Sequence, residues 1–482
     1  MTTVLWIFIA LQIVMGGSDT LIHHELTEKL AWRRSQSHEL RLHAIRNVFY
    51  AVIFIGLGTI EPGGWWAYAI ILGLCVEFII TLWDFVEEDL TRKLPATERV
   101  IHTVLTANYG VVLALLIPVL WQWGHNPTGL VATWYGLWSV LMIVAAVGVF
   151  ILGLRDFHAS ARLKRLWQRP VAELIPEMYD RKTVLITGGT GFIGQRLIRA
   201  LQARGHKLIV LTRDAKTANL PAPVTLIEKL NDIDNNDKID VIINLAGESL
   251  SNGFWTTKKQ YAIRKSRIGL TEQINTLIWR LERKPELLLN GSAIGVYGVN
   301  PDGEQSEEST IVEDGTVSQR LCRDWEAEAR RAEKYHVRVV LLRIGMVLDR
   351  EGGALSQIIV PTEMGGGAVF GNGKHMMSWI TRDDLVGLIG HIMATPEIIG
   401  AINGVGPTPV SNREFTQAVA KALHRPTLVA IPATIIKALG GLGREILLGN
   451  QTVVPAKAIA SGYLFKDTNI EATMEDQLRG RS

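Results

Sequence analysis

The chain has 482 residues, with 50 Lys and Arg residues against 47 Asp and Glu residues and only 2 Cys residues. At roughly 100–200 residues per domain, this length predicts two to four domains. The near-neutral charge gives no reason to expect a nucleic acid or another polyanionic partner. Two cysteines, Cys75 and Cys322, exclude a disulfide scaffold and are typical of free thiols in a reducing compartment.

Residues 1–155 are predicted to form an all-α membrane domain. No Asp, Glu, Lys or Arg occurs in residues 100–154, and Glu61 and Glu77 are the only ones in residues 47–83. A helix that crosses a bilayer needs about 20 apolar residues. The sequence predicts five such helices, near residues 2–17, 44–60, 65–83, 103–122 and 131–154.

The charges of the connecting loops predict the orientation of these helices. Loops 18–46 and 84–99, and the segment after the fifth helix, contain several Lys and Arg residues, whereas loops 61–64 and 123–130 contain none. Because basic loops stay in the cytoplasm, the N-terminus is predicted outside and the rest of the chain inside, at the inner membrane. A cleaved signal peptide is the alternative for residues 1–17, but no basic residue precedes their apolar run.

Acidic residues and histidines recur together near the predicted cytoplasmic ends of the helices. The three pairs are Asp19 and His23, Glu39 and His43, and Glu98 and His102. A separation of four residues places the members of each pair on one helix face. Carboxylates and imidazoles bind transition metals, so the second and third pairs are candidate ligands of a metal ion. The alternative is that they are solvated charge pairs that flank the membrane. Dinuclear sites in helix bundles place Glu and His three residues apart, whereas the pairs here are four residues apart.

The second part of the chain begins with a strand, a Gly-rich turn and a helix. After a connector at residues 156–181, the apolar run 183–187 leads into the turn 188–194 and a helical segment. In such a turn the first Gly bends the chain, the second admits a pyrophosphate, and the third lets the helix pack on the strand. The turn therefore predicts dinucleotide-binding residues. They are Gly188, Thr190, Gly191, Phe192, Ile193 and Gly194.

The next two predicted strands indicate the coenzyme. The strand at residues 207–213 ends in Thr212 and Arg213, without the acid that binds the ribose of NAD. A guanidinium group there can bind a 2′-phosphate, which favours NADP over NAD, and a solvated arginine is the alternative. The strand at residues 241–247 supplies three further cofactor-binding candidates. They are Asn244, Ala246 and Gly247.

Further strands at residues 286–292 and 337–343 flank a helix at about residues 318–335. Strands that alternate with helices over short connections predict an α/β Rossmann fold with a doubly wound parallel sheet. The nucleotide-binding domain is predicted at residues 182–424, and a small C-terminal domain at residues 425–482.

Several ordered motifs in residues 182–478 resemble the sugar-nucleotide-epimerase-like branch of the extended short-chain dehydrogenase/reductases. The motifs are Gly188 to Gly194, Asn244 to Glu248, Ser292 to Gly298, Cys322 to Glu326, Ser378 to Ile380 with Asp384, and Asn403 to Pro409. Residues 425–478 resemble the small domain of unknown function of that branch. The resemblance implies a pyridine-nucleotide coenzyme and oxidoreductase or epimerase chemistry.

The motif for that chemistry is altered in this chain. Enzymes of the superfamily use a Tyr and a Lys four residues later, and alignment on Glu326 puts Ser318 and Cys322 in their places. The resemblance leaves three candidate catalytic residues, for which the alternatives are a strand-end hydroxyl, a core aromatic and a surface salt bridge. They are Ser292, Tyr297 and Arg323.

Three functions follow as hypotheses. The first is a membrane-anchored NADP-dependent oxidoreductase or epimerase-like enzyme that acts on a lipid-linked, quinone-like or sugar-bearing small molecule. The second is a sensor or assembly factor that binds NADP without turnover. The third is a metal-containing membrane enzyme with a fused reductase domain. A Gly-rich segment at residues 361–379, which includes Lys374, His375 and Trp379, is either a ligand-binding loop or a solvated one.

Overall fold

The computed structural model describes two compact units, residues 1–166 and residues 167–482. The described residues exclude 93, 167, 217, 219, 249–255, 428, 438–444, 446, 481 and 482.

The first unit contains five long helices. They are α1 (Thr3–Asp19), α2 (Ser37–Thr59), α3 (Trp65–Thr91), α4 (Ala96–Gly124) and α5 (Leu137–Arg165). All five are long and apolar enough to cross a membrane, and four of them contain the predicted segments to within one residue at the ends of those segments. The fifth helix begins at Leu137, six residues later than predicted, because residues 131 and 132 belong to a strand. A π-helical segment, Thr20–Thr27, extends α1. A pair of short antiparallel strands, Ile60–Gly63 and Gly129–Ala132, lies at the other end of the helices.

Small residues allow helices α2 and α5 to approach closely. A Cβ atom on Gly58 would lie 2.5 Å from Cβ of Met142, and one on Gly153 would lie 3.2 Å from the carbonyl oxygen of Ala44. In apolar helix bundles such contacts replace the hydrophobic effect as the basis of packing. Many apolar side chains of the five helices face outward, as expected of helices surrounded by lipid.

The second unit is built on a seven-stranded parallel sheet. Its strands are β1 (Thr183–Thr187), β2 (Lys207–Leu211), β3 (Thr225–Ile227), β4 (Val241–Asn244), β5 (Leu287–Ala293), β6 (Arg338–Ile344) and β7 (Gly400–Gly404). The strand order is β7-β6-β5-β4-β1-β2-β3. The order reverses beside β1, which is where doubly wound sheets bind their ligands.

Apolar residues alternate between the two faces of this sheet. In β1, Val184 and Ile186 pack into one core, while Leu185 packs into the other. Since successive side chains of a strand point to opposite faces, a sheet covered on both sides requires continuous apolar runs. This requirement explains why the strand sequences contain so few polar residues.

Helices cover both faces and the end of the sheet. They are α6 (Phe192–Ala203), α7 (Thr257–Arg264), α8 (Leu270–Arg280), α9 (Val317–Arg330), α10 (Gly353–Glu363), α11 (Arg382–Ala394), α12 (Asn412–Ala422), α13 (Ala433–Lys437), α14 (Ala456–Ala460) and α15 (Ile470–Leu478). The fold class predicted from the sequence, an N-terminal helical bundle followed by a Rossmann domain, is confirmed.

The segment predicted as a Gly-rich loop is more ordered than expected. Strand Ala368–Phe370 pairs with Val429–Ile431, and strand Met376–Met377 pairs with Val410–Ser411. Trp379 is buried, and its indole Nε1 donates a hydrogen bond of 2.9 Å to the carbonyl of Thr408. Its ring is therefore a core group and is not presented to a ligand.

Candidate functional site

The Gly-rich turn joins β1 to α6 with almost no space for side chains. Gly188 has a φ of +72°, a conformation that residues with a Cβ rarely adopt. A Cβ atom on Gly194 would lie 2.3 Å from the carbonyl oxygen of Gly188, and one on Gly191 would lie 3.1 Å from the same oxygen. A Cβ atom does not fit at Gly194, and at Gly191 it would require the neighbouring backbone to shift, so the backbone of the turn is left open to a ligand.

Helix α6 begins directly at this turn. Its first residue is Phe192, and no side chain caps its N-terminus. The Phe192 ring packs against Gly352 and beneath the guanidinium group of Arg382, and Ile193 packs against the apolar core. Both residues therefore present backbone to the turn, where uncapped N–H groups bind phosphate. Thr190 is exposed at the tip.

Thr212 and Arg213 follow strand β2, next to this turn in the sheet. Thr212 is buried, and its backbone N–H donates to the carbonyl of Ile227. The Arg213 side chain is exposed. It therefore lies past the end of the strand with its charge in solvent.

A buried polar network lies where the cofactor would cross the sheet. Strand register places Thr187 beside Asn244 and Asn244 beside Asn290. The Thr187 hydroxyl donates to Oδ1 of Asn244 at 2.6 Å, and Nδ2 of Asn244 donates to Thr271 and to Asn290 at 3.0 and 2.6 Å. A buried network in which the polar groups are hydrogen-bonded is rigid. Asn244 therefore holds the end of β4 in place.

A cation that the sequence did not suggest lies beside the end of β4. The backbone N–H of Ala246 donates to the Thr187 hydroxyl at 3.3 Å. The guanidinium group of Arg267 lies against Gly247, since a Cβ atom there would be 2.9 Å from its Cζ. Burial lowers the pKa of Arg267. The sequence around Arg267 is basic and helical, and it does not indicate that this residue turns toward β4.

Two of the candidate catalytic residues join one buried hydrogen-bonded chain. The Ser292 hydroxyl donates to Oε1 of Glu326 at 2.8 Å, and Arg343 donates to both carboxylate oxygens of Glu326 at 2.9 Å. Arg343 also donates to the Tyr297 hydroxyl at 3.0 Å, which donates to Oδ1 of Asn403 at 2.8 Å. Strand register explains the contact, because Ser292, Arg343 and Asn403 are neighbours across β5, β6 and β7.

Arg323 lies elsewhere. Its exposed side chain forms an ion pair with Glu313 on the surface of α9. The structure therefore brings Ser292 and Tyr297 together through Glu326 and Arg343, and leaves Arg323 out of that chain.

Comparison with known proteins identifies the family. Residues 184–403 match the NAD dependent epimerase/dehydratase family. The chain is 37% identical over 295 residues to the chloroplastic epimerase family protein SDR39U1 homolog of Arabidopsis thaliana. The aligned residues cover 60% of this chain and 84% of that protein. It is 33% identical over 302 residues to the epimerase family protein YfhF of Bacillus subtilis, which covers 62% and 98%. The chain belongs to this epimerase family.

The remaining comparisons agree with the family and extend it to the C-terminus. Residues 431–477 match the domain of unknown function DUF1731. The structure resembles the human epimerase family protein SDR39U1 solved with NADPH, with a TM-score of 0.56, 30% identity, and coverage of 61% of this chain and 99% of that chain. It also resembles a nucleoside-diphosphate sugar epimerase of Corynebacterium glutamicum, with a TM-score of 0.51, 28% identity, and coverage of 69% and 64%. The resemblance inferred from the motifs is confirmed.

Ser318 and Cys322 are the residues that the sequence places at the acid–base positions of the superfamily. Ser318 and Cys322 lie on α9 and face the end of β5, where a Cβ atom on Gly295 would be 3.3 Å from Cβ of Ser318 and 3.7 Å from Sγ of Cys322. Burial raises the pKa of the Cys322 thiol to about 12. Burial also raises the pKa of the Tyr297 phenol, against the opposing effect of Arg343. At neutral pH both groups keep their protons.

The predicted metal ligands lie at one end of the helical unit. Glu98 and His102 form a group with His24 and Glu88, and Glu39 and His43 form a second group with Glu88. In each group, one candidate ligand atom per residue lies within 4.8 Å of the others. His24 was not among the ligands predicted from the sequence, because no acidic residue precedes it by four positions.

Proposed function

We propose that this epimerase-family protein binds NADP at the turn between β1 and α6. The observation that carries the proposal is the approach of Gly194 to Gly188, which leaves no room for a Cβ atom and exposes the α6 N-terminus. The same geometry fits a pyrophosphate. Arg213 supplies a cation past β2 in place of the acid that NAD prefers. The human relative that was solved with NADPH supports this choice.

The proposed position of the coenzyme assigns roles to the groups below it. Thr187 and Asn244 fix the end of β4, and Ala246 and Gly247 leave space for the dinucleotide. Arg267 lies beside Gly247, where it would offset the charge of a bound phosphate. When bound, the coenzyme supplies hydride transfer.

The first unit anchors the protein in this proposal. Counted with the π-helical extension of α1 and the short 3₁₀ turn before α2, the five helices are 25 to 29 residues long and have mean hydropathies of 1.4 to 2.6 over their most apolar windows. Lys and Arg residues are concentrated in alternate loops and after the fifth helix. In this orientation the helices of the first unit lie in the inner membrane, and the nucleotide-binding unit is in the cytoplasm.

The proposed chemistry is that of an oxidoreductase or epimerase-like enzyme with an altered site. Its substrate would be a small molecule that reaches the membrane, such as a lipid-linked, quinone-like or sugar-bearing compound. Ser292 would be the hydroxyl that polarises a substrate oxygen, and Glu326 accepts its hydrogen bond. A carboxylate so close can accept the serine proton, which is what a relay from the substrate oxygen requires.

A second candidate function is a sensor or assembly factor that binds NADP without turnover. One observation favours it: the Tyr297 hydroxyl and the Ser292 hydroxyl both have protein partners, and Cys322 is buried. None of the three is a ready proton acceptor at neutral pH. A coenzyme could still bind, because the Gly-rich turn is independent of these groups.

Stopped-flow oxidation of NADPH separates the two functions. The full chain in detergent would be mixed with NADPH and a panel of quinones, short-chain aldehydes and nucleotide sugars, and absorbance of the reduced nicotinamide followed. The enzyme hypothesis expects turnover with one class, reduced in Ser292→Ala and unchanged in the surface variant Arg323→Ala. Saturable binding of NADPH, with neither oxidation of NADPH nor formation of an isomerised sugar, would support the sensor hypothesis.

A further inference from the structure

Five buried carboxylates and four buried or nearly buried histidines meet at one end of the helical unit. The carboxylates belong to Asp19, Glu39, Asp84, Glu88 and Glu98, and the histidines are His23, His24, His43 and His102. They come from the ends of α1, α2, α3 and α4 that lie on the same side as the basic loops. Ionisable groups inside a helix bundle that is surrounded by apolar surface are costly, which makes this cluster of nine a candidate functional site.

Four of these residues have the geometry of a metal-binding group. One ligand atom each of His24, Glu88, Glu98 and His102 lies within 4.8 Å of the others. Ligand atoms that are each about 2.1 Å from one ion lie roughly 3–4 Å apart. A shift of about 1 Å or less would bring the four donors onto a common ion.

One histidine in the cluster has a buried nitrogen that makes no hydrogen bond. His24 is 6% exposed, and its Nε2 lies 3.6 Å from Oε1 of Glu98 and 3.7 Å from Oδ2 of Asp19 without hydrogen bonding to either. His43 differs, because its Nε2 lies 3.1 Å from Oδ2 of Asp84. A buried polar atom without a partner costs free energy, and an ion between His24 and Glu98 would give His24 the partner it lacks.

The orientation of His102 is that of a metal ligand held by a second carboxylate. Its Nε2 is 3.0 Å from Oδ2 of Asp19, and its Nδ1 is 3.4 Å from Oε2 of Glu88. A metal-bound histidine almost always donates its other ring N–H to a carboxylate or carbonyl. Asp19 accepts that hydrogen bond here, so Nδ1 remains for an ion.

The charges of the cluster do not balance among the residues that the structure describes. Arg92 binds Glu39 and Glu98, and Arg46 binds Asp84. Two guanidinium groups thus face five carboxylates. Protonation of several histidines or binding of a divalent cation can supply the missing positive charge. The unpartnered nitrogen of His24 favours the cation, because a neutral imidazole is the form that binds a metal.

Glu88 connects this group to a second one. Glu39 and His43 have ligand atoms within 4.8 Å of each other and of Glu88. A carboxylate shared by two groups is the arrangement in which one residue bridges two ions. The spacing of four residues in Glu39/His43 and in Glu98/His102 would place a carboxylate and an imidazole on one face of a helix, as the spacing of three does in other bundles.

From this geometry we propose that the helical unit binds a divalent first-row transition metal ion through His24, Glu88, Glu98 and His102. Two imidazoles and two carboxylates suit iron, manganese or zinc better than magnesium or calcium, which prefer oxygen ligands. Glu39 and His43 offer a second position next to it through Glu88. The site is separate from the proposed coenzyme site and does not depend on it.

Metal content of the full chain tests the proposal directly. The protein would be expressed with iron, manganese or zinc added, purified in detergent without chelators, and analysed by inductively coupled plasma mass spectrometry. We expect about one or two ions per chain for one of these metals. The chelated protein should also bind Co²⁺ and give the ligand-field absorption of a nitrogen- and oxygen-coordinated ion.

The controls separate loss of ligands from loss of fold. The double variant His24→Ala/His102→Ala and the near-isosteric Glu88→Gln should lose the ion and the Co²⁺ spectrum. His38→Ala, an exposed histidine on the same helix as His43, should keep both. Gel filtration and helical circular dichroism confirm that each variant is folded. A wild-type chain without metal in all three media and without a Co²⁺ spectrum, or folded variants that retain the ion, would overturn the proposal.

Discussion

Arg343 forms a two-pronged ion pair with Glu326, with Nε–Oε1 and Nη2–Oε2 distances that are both 2.9 Å. Both side chains are buried beneath the end of the sheet. Two parallel hydrogen bonds between these groups fix the position of the carboxylate. The same carboxylate accepts from Ser292, so the pair determines where the serine hydroxyl points.

Removal of this carboxylate should destabilise the second unit strongly. Glu326→Ala leaves Arg343 buried and unpaired, which costs about 3–5 kcal/mol in comparable pairs. Ser292→Ala removes a single hydrogen bond and should cost about 1 kcal/mol. Chemical unfolding of the full chain in detergent measures both. Arg323→Ala is the control, because its exposed ion pair with Glu313 should contribute less than about 1 kcal/mol. Equal costs for Glu326→Ala and Arg323→Ala would contradict the assignment.

Cys322 should be inert toward thiol reagents in the folded protein. Its pKa of about 12 and its burial leave roughly one thiolate in ten thousand molecules at pH 8. In a Cys75→Ala background, iodoacetamide labelling followed by mass spectrometry should detect modification of Cys322 only after unfolding. Because the pKa is raised, labelling should increase only as the pH approaches that value. Rapid labelling at pH 8 would show that the thiol is accessible and activated.

The sheet could be predicted from the sequence where its strands are long apolar runs. Strands β1, β2, β4, β5 and β6 were recognised in this way. Strand β3 has three residues, and β7 has the sequence Gly-Ala-Ile-Asn-Gly, so neither has the apolar run that identifies a strand. Strand β3 pairs with β2 just before it in the chain, whereas β7 pairs with β6, which lies about sixty residues earlier.

The candidate site was predicted less completely than the fold. Glycine spacing identified the turn, since its steric requirement is local. The pair formed by Glu326 and Arg343 joins a helix to a strand, and Arg267 reaches β4 from a helix, so no spacing rule brings them together. His24 was missed for the same reason, because it joins the predicted acid–histidine pairs only through helix packing.

Arg213 should select NADPH over NADH. Loss of a charged hydrogen bond to the 2′-phosphate costs about 1.5–3 kcal/mol, so Arg213→Ser should weaken NADPH about 10- to 100-fold and leave NADH unchanged. Nucleotide fluorescence titration of the full chain measures both affinities. Arg199→Ser, which changes an exposed arginine on α6, the helix before β2, should leave both affinities as they are. Equal weakening of NADPH and NADH would assign Arg213 a structural role.

The two ends of the helical unit should lie on opposite sides of the membrane. In a Cys75→Ala background, Tyr179→Cys marks an exposed position after the fifth helix, and Asn126→Cys marks an exposed position between the fourth and fifth helices. A membrane-impermeant maleimide should label position 126 in intact spheroplasts and position 179 only after lysis. Labelling in the reverse order would invert the proposed orientation, and labelling of both in intact cells would contradict the membrane anchor.

Calorimetric titration of NADPH into the full chain tests the coenzyme site most directly. We expect saturable binding to the wild type, lost in Gly194→Ala because its Cβ atom would lie 2.3 Å from the carbonyl of Gly188. Gly269→Ala is the matched control, since a Cβ atom there has ordinary contact at 3.7 Å with Lys265. Binding that survives in a folded Gly194→Ala variant, or a wild type that binds neither NADPH nor NADH, would contradict the proposed site.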